Sequence, residues 1–225
     1  MKKVRVWDLP VRLFHWMLAI LILVSIITQQ IGGNAMEWHF RSGYAVLALV
    51  GFRIIWGLVG SRYARFVSFL HGPSTIVGYL RGGKDALKGK YIGHNPLGSL
   101  SVFAMLGVVA AQAISGLYAN DDIASEGPLV KFISKDLSDQ ITWFHKEVSA
   151  NLLYLLVAMH LLAIAVYYFR KKQDLVTPML TGDQHVEFDA PHANDGWGMR
   201  LLALLIVAVS ALAVYYLVSL PPRGA

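Results

Sequence analysis

The sequence predicts an all-α membrane protein, in which four transmembrane helices form a bundle and a fifth transmembrane helix follows at the C-terminal end. Of its 225 residues, 56% are hydrophobic and 15% are charged, whereas a soluble domain contains about 25% charged residues. Five stretches reach the length of about 20 residues that a helix needs to cross the ~30 Å hydrocarbon core of a bilayer. His15 and His160 lie within these stretches, where histidine is rare, and His39 and His145 lie three residues before the second and fourth of them.

The predicted spans are separated by polar connections and contain one formal charge, on Arg53. Their ranges are Leu13–Ile31, Ser42–Gly60, Asn95–Asn120, Val148–Phe169 and Leu201–Pro222. Between the second and third spans, Pro73 favours the start of a short amphipathic helix that Gly82-Gly83 would end, and we expect it at the cytoplasmic interface. Residues 1–169 are therefore predicted to form the four-helix core. Residues 170–225 would form a cytoplasmic connection and the C-terminal transmembrane helix.

The distribution of charge predicts the orientation of the chain in the membrane. Basic residues precede the first span, fill the connection between the second and third, and flank the connection between the fourth and fifth. The connection between the third and fourth spans is acidic instead. Because basic residues in short loops stay cytoplasmic, the N-terminus is predicted inside and the C-terminus outside. This topology accounts for the formal net charge of +6 better than nucleic acid binding does.

The four histidines fall into two pairs by depth. His39 and His145 stand at the outer ends of the second and fourth spans, which both run from outside to inside. His160 follows His145 by fifteen residues, which in a regular helix corresponds to roughly 22 Å and a rotation of ~60°. The first span runs the other way and places His15 near the inner face. We therefore predict the pairs His39/His145 outside and His15/His160 inside.

Two such pairs predict two haem groups with bis-histidine ligation. The sequence contains no cysteine, which excludes disulfides, iron–sulfur clusters and thioether-attached haem, so the haems would be non-covalent haem b. Two histidines saturate the iron and leave electron transfer as its natural use. Isolated hydrogen-bonding histidines and zinc ligation are weaker interpretations, because the pairs match in depth and no third or fourth ligand lies near either pair.

Arg53 is the candidate residue for binding an anionic or polar group near the inner haem. It follows His39 by fourteen residues, so in a regular helix it faces the same way to within ~40° and lies at the depth of the inner pair. A charge inside a span is costly unless it is paired. Arg53 would therefore bind a haem propionate or a quinone head group. The alternative is that the Arg53 side chain extends along the helix to the cytoplasmic surface of the membrane.

Three further residues adjoin the predicted ligands. Arg12 and Arg41 lie close to His15 and His39 in the sequence and could pair with haem propionates or anchor the chain at the membrane interface. Gly43, four residues after His39, could leave room for a flat macrocycle or serve helix packing.

Several short motifs resemble the bacterial di-haem cytochromes b, which include the b-type subunits of nickel–iron hydrogenases, related formate dehydrogenase subunits and stand-alone cytochrome b-561 proteins. The motifs are Val6-Trp7-Asp8-Leu9-Pro10 with Arg12, Phe14, His15 and Trp16; His39-Phe40-Arg41-Ser42-Gly43-Tyr44; Phe69-Leu70-His71-Gly72-Pro73; Gly93-His94-Asn95-Pro96-Leu97-Gly98; and Phe144-His145-Lys146. The resemblance implies a bacterial inner-membrane protein with two b haems, ligated at the same four histidines. It also implies electron exchange between a quinone, ubiquinone or menaquinone, and a redox protein.

These observations predict a quinone-linked electron-transfer protein whose partner is a periplasmic c-type cytochrome or another redox protein. A superoxide:quinone oxidoreductase is the alternative within the same chemistry, although the acidic outer connection would repel an anion. A haem or metal transporter, or a structural anchor subunit, is the alternative from another class. Of the other histidines, His94 could exchange protons at a quinone site or simply precede a helix, and His185 and His192 are interpreted as part of a solvated loop.

Overall fold

The computed structural model describes residues 1–82, 91–123 and 125–221. Its elements in chain order are β1 (Lys2–Arg5), α1 (Leu9–Ile31), α2 (Met36–Val59), α3 (Pro73–Arg81), α4 (Pro96–Gly116), α5 (Lys135–Trp143), a π-helical segment (Phe144–Ser149), α6 (Ala150–Lys171), α7 (Val176–Thr181), β2 (Asp183–Val186) and α8 (Trp197–Val218). The protein is thus an all-α membrane protein with one small pair of strands.

Five helical stretches of the described chain are long and apolar enough to cross a membrane. They are Leu9–Ile31, Gly33–Val59, Pro96–Gly116, Lys135–Lys171 and Trp197–Val218. All five predicted spans are confirmed, but the first, second, fourth and fifth begin earlier than expected, and the difference is largest for the second and fourth. The fourth continues from α5 through the π-helical segment into α6 without a break. The charged residues in the first turns of α2 and α5, such as Glu37 and Asp136, are compatible with a loop. They are also compatible with a helix whose first turns are exposed.

The short helix between the second and third spans is also confirmed. It is α3, which begins at Pro73 and is followed by Gly82, whereas Gly83 lies outside the described residues. Tyr79 of α3 makes a 3.2 Å hydroxyl–hydroxyl hydrogen bond with Tyr167 of α6. Asn95 donates to the Tyr167 hydroxyl at 2.7 Å, so α3 is joined to the start of α4 and the end of α6.

By internal contacts the chain divides into two compact units. The first consists of Met1–Leu13, Arg53–Ala104 and Ala158–Leu204; the second consists of Phe14–Phe52, Met105–Val157 and Leu205–Ala225. In the second unit, Val46 and Val50 of α2 form a buried cluster with Val109 of α4 and Leu153 of α6. Leu21 of α1 packs against this cluster. The first four spans therefore share one buried apolar cluster in this unit, as the predicted bundle requires.

The first unit contains the pair of strands, which the sequence did not predict. β1 and β2 are antiparallel, with Lys3 opposite His185. Arg5 forms salt bridges with Asp183 at 2.6 Å and Asp195 at 2.8 Å, and its backbone N–H donates to His192 Nδ1 at 3.0 Å. The prediction of a loop is therefore wrong for Asp183–Val186, which form a strand, whereas both His185 and His192 are exposed as a solvated segment requires.

Gly182 makes the turn into β2 possible. Its φ of +92° lies in the left-handed region, which favours glycine. Its carbonyl accepts hydrogen bonds from the backbone N–H groups of Val6 at 2.8 Å and Trp7 at 3.0 Å. A Cβ at this position would lie 2.6 Å from the Trp7 carbonyl oxygen, so a larger residue would force the two segments apart.

Candidate functional site

His39 and His145 face each other in the second unit. Their ring centres are 6.3 Å apart and their planes are perpendicular. His39 lies in the first turns of α2, and His145 lies on the π-helical segment that precedes α6. A π-helical turn is rare and often occurs at functional sites. The structure thus brings together the two histidines that the sequence paired by depth.

Hydrogen bonds fix which nitrogen of each ring carries the proton. The Nδ1 atom of His39 is 2.9 Å from the Ser25 carbonyl oxygen, and that of His145 is 3.1 Å from the Gln112 carbonyl oxygen. A carbonyl can only accept, so in both rings Nδ1 carries the proton and donates it. The Nε2 atom of each neutral ring therefore retains the lone pair that a metal needs.

The surroundings of His145 include two further polar side chains, those of Gln112 and Ser149. Gln112 Nε2 lies 3.1 Å from His145 Nε2, and Ser149 donates to Gln112 Oε1. The Gln112 amide would have to release His145 Nε2 for this nitrogen to bind a metal. No sequence motif points to Gln112. It lies four residues before Gly116, so the two residues share one face of α4, and Gly116 also lies close to the His145 ring.

His15 and His160 belong to different units, His15 to the second and His160 to the first. His15 lies near the start of α1 with its ring edge-on to Trp16, 5.1 Å between centres. His160 lies in α6 and is partly buried. The pairing of these two histidines stays a prediction from their depth.

Arg53 is buried in the first unit, with only 4% of its surface exposed. Its guanidinium lies over the ring of Phe66, 4.6 Å from the centre, and within the described residues its Nη1 has no hydrogen-bond partner. This burial contradicts the alternative in which the side chain reaches the exposed surface. A buried cation with an unused donor is suited to bind an anionic or carbonyl group.

His94 lies in the same unit between two aromatic side chains. Its ring centre is 4.8 Å from that of Trp7 and 4.7 Å from that of Phe69. Burial and the nearby positive charge of Arg53 lower the pKa of His94 to about 3, so this side chain is neutral at physiological pH. Its Nδ1 is shielded from solvent and, in the described part of the chain, has no hydrogen-bond partner.

The remaining residues that the sequence predicts to contact haem are Arg12, Arg41 and Gly43. Arg12 donates to the Leu180 carbonyl at 2.5 Å, and Arg41 forms an exposed salt bridge with Glu37. A Cβ built on Gly43 would meet no atom within 4 Å, so the space beside Gly43 is open. Contacts of these residues with haem stay predictions.

The profile of the prokaryotic cytochrome b561 family matches residues 6–182. The chain belongs to this family. Similar proteins named probable Ni/Fe-hydrogenase B-type cytochrome subunit occur in Azotobacter vinelandii, with 30% identity over 84% of this chain and 91% of the relative. One in Azotobacter chroococcum has 28% identity over the same shares, and one in Bradyrhizobium diazoefficiens has 23% identity over 80% and 85%. No solved structure matches the chain significantly.

A prokaryotic cytochrome b561 is a membrane b-type cytochrome that serves electron transfer, and its cofactor is haem b. The geometry of His39 and His145 fits this cofactor. Imidazole nitrogens bind first-row metals at about 2.0–2.1 Å, as they do zinc, so two rings on one metal have centres roughly 6 Å apart once the ring radii are added. The observed separation of 6.3 Å is close to this distance.

Proposed function

We propose that this cytochrome holds two b haems by bis-histidine ligation and transfers electrons between the quinone pool and a redox protein. The proposal for the first haem rests on the facing rings of His39 and His145, whose Nδ1 atoms are held by backbone carbonyls. The proposal for the second haem rests on the similar membrane depth that the sequence predicts for His15 and His160. Bound haem supplies reversible one-electron transfer, and two haems at different depths would pass electrons across most of the membrane.

The residues of the chain orient and shield the haems in this proposal. The Ser25 and Gln112 carbonyls hold the Nδ1–H groups, so that the Nε2 lone pair of each outer histidine would bind the iron once the Gln112 side-chain amide releases His145 Nε2. Gly43 leaves open space on the same helix as His39, where the macrocycle would extend. Arg12 and Arg41 would neutralise propionates, although each also has a protein partner, the Leu180 carbonyl and Glu37.

We place the protein in the bacterial inner membrane, with the N-terminus in the cytoplasm and the C-terminus in the periplasm, on the basis of the basic connections. His39 and His145 then lie at the periplasmic side. His15, His160 and Arg53 lie towards the cytoplasm. Ubiquinone or menaquinone would react near Arg53, whose buried cation can stabilise a carbonyl oxygen as it gains negative charge.

The redox partner would bind at the acidic surface beside His145. A groove of about 270 Å³ is lined there by Asp121, Asp122, Asp139 and Glu147, with Lys146 as the basic residue among them. A negative surface attracts basic proteins and speeds their association, and it would repel superoxide. The partner would be a basic c-type cytochrome or, as the names of the relatives suggest, a hydrogenase.

The haem content tests the central proposal. We expect the purified chain to carry two b haems, both of which acidified acetone extracts, because no cysteine can form a thioether bond. Haem analysis with a reduced-minus-oxidised spectrum measures both quantities. Absence of haem would exclude electron transfer and favour a transporter or an anchor subunit, whereas one haem per chain, or haem that resists extraction, would contradict the proposed ligand set.

The acidic surface is tested by removing two of its charges. We expect Asp121→Asn with Glu147→Gln to slow electron transfer to a basic c-type cytochrome about 3–10-fold at low ionic strength, and to weaken its salt dependence. Stopped-flow kinetics at low and high ionic strength measure both effects. The matched control is Glu187→Gln with Asp189→Asn, which removes the same charge from residues of the first unit. An equal loss in the control would show that net charge, not this surface, governs association.

A further inference from the structure

The Nδ1 and Cε1 edge of the His145 ring rests on the last turns of α4. We propose that Ser115, Gly116 and the Gln112 carbonyl form a cradle that fixes the orientation and tautomer of His145 and thereby sets the reduction potential of the His39–His145 haem. This inference rests on the proposed function, because it takes His145 as a ligand.

Two acceptors share the Nδ1–H of His145. Ser115 Oγ lies 3.0 Å from Nδ1, and the Gln112 carbonyl oxygen lies 3.1 Å from it. Ser115 Oγ in turn donates to the same carbonyl at 3.1 Å. The hydroxyl therefore has its proton directed to the carbonyl and its lone pairs directed to Nδ1. This arrangement is compatible only with the tautomer whose Nε2 can bind iron.

Gly116 provides the space for the ring. A Cβ at this position would lie 3.0 Å from His145 Cε1, 3.5 Å from Nδ1 and 3.8 Å from Nε2. The added methyl group would thus press on the ring itself and tilt it. Gly107, on the same helix, is exposed, and a Cβ there would meet no atom within 4 Å. The two glycines therefore form a matched pair in which only one touches the proposed ligand.

The π-helical segment brings a second side chain of the fourth span to the same place. The backbone N–H of Ala150 bonds to the His145 carbonyl, one residue farther along than in an α-helix. Ser149, which is 1% exposed, donates to Gln112 Oε1. His145 and Ser149 are thus both tied to Gln112, and α4 and the π-helical segment are held in one relative position.

The cradle has a defined electronic consequence. A ligating histidine that donates its other N–H to an acceptor becomes a stronger electron donor to the metal. A stronger donor favours ferric over ferrous iron and lowers the reduction potential. Loss of one of the two acceptors should therefore raise the potential of the His39–His145 haem and leave the other haem unchanged.

The test compares four single variants by redox titration and by electron paramagnetic resonance of the oxidised protein. We expect Ser115→Ala to shift the ferric-to-ferrous ratio of one haem about 3–10-fold towards ferrous at a fixed potential, where tenfold equals 59 mV. Ser115→Thr keeps the hydroxyl and should restore the wild-type potential. Gly116→Ala should alter the low-spin signal of the same haem, and Gly107→Ala should leave both haems as in the wild type.

Wild-type potentials and signals in both Ser115→Ala and Gly116→Ala would overturn the cradle while leaving the two-haem function intact. Equal shifts in Gly107→Ala would overturn it as well, because the effect would then belong to the helix and not to contact with His145. A wild-type chain without haem would overturn the proposed function itself. If Gly116→Ala does not fold, the comparison of Ser115→Ala with Ser115→Thr still decides.

Discussion

Replacing His39 with alanine should reduce the haem content from two per chain to one. The variant leaves His145 as a lone ligand for the outer haem, and a single imidazole cannot hold a non-covalent low-spin haem as two can. His15 and His160 are untouched, so the second haem should keep its spectrum and potential. Haem analysis and a redox titration of the reduced-minus-oxidised spectrum measure the loss and identify the component that remains.

The reciprocal variant and a control define the pairing. His160→Ala should remove the other component and spare the His39–His145 haem, because α6 is preceded by an intact His145. His185→Ala removes an exposed histidine opposite Lys3 in the strand pair and should change neither haem. If His39→Ala and His15→Ala abolished the same spectral component, the pairing by depth would be wrong.

The extent of the spans shows what hydropathy can and cannot predict. The apolar segments were predicted correctly because a bilayer demands continuous apolar length, which composition records directly. The helical turns before His39 and His145 were missed, since charged residues such as Glu37 and Asp136 are equally compatible with a loop and with an exposed helix. The β1–β2 pair was missed for another reason. Its two strands lie at opposite ends of the sequence, and paired residues such as Lys3 and His185 carry no signal that they are partners.

That His39 and His145 face each other was predictable from the sequence, whereas the contacts that hold their rings were not. Depth along a helix follows from residue number, so His39 and His145 could be paired from the sequence. The contacts with Gln112 and Gly116 depend on the rotation of α4 about its axis, which no motif specifies. The rotation along the fourth span was estimated for a regular helix, and the π-helical turn at His145 breaks that regularity without a mark in the sequence.

Trp56 illustrates how tertiary context overrides position. Its place near the end of a predicted span is typical of an interfacial tryptophan. In the structure it is fully buried and donates from Nε1 to Asp8 at 3.1 Å. Asp8 also accepts from the backbone N–H of Val11 at 2.7 Å, and burial raises the pKa of this carboxyl group. The negative charge of Asp8 lies near enough to Arg53 to act on it electrostatically.

Arg53→Leu should lower the reduction potential of the His15–His160 haem by about 40–130 mV. A nearby cation favours the reduced haem, which carries one more negative charge, and its removal withdraws that stabilisation. A charged hydrogen bond of a buried group contributes about 1–3 kcal/mol, and 1.4 kcal/mol equals 59 mV for one electron. Quinone turnover should fall as well, while the haem content stays at two.

Two further variants separate the charge of Arg53 from its packing. Arg53→Lys retains the cation and should restore most of the potential, even though the contact with Phe66 is altered. Arg62→Leu removes an exposed charge from the connection that follows the same helix and should change neither potential nor turnover. Redox titration of the wild type and the three variants decides the question. A shift below about 15 mV, a quarter of the tenfold value, in Arg53→Leu would mean that the buried guanidinium stabilises the fold around Phe66 without acting on the haem or the quinone.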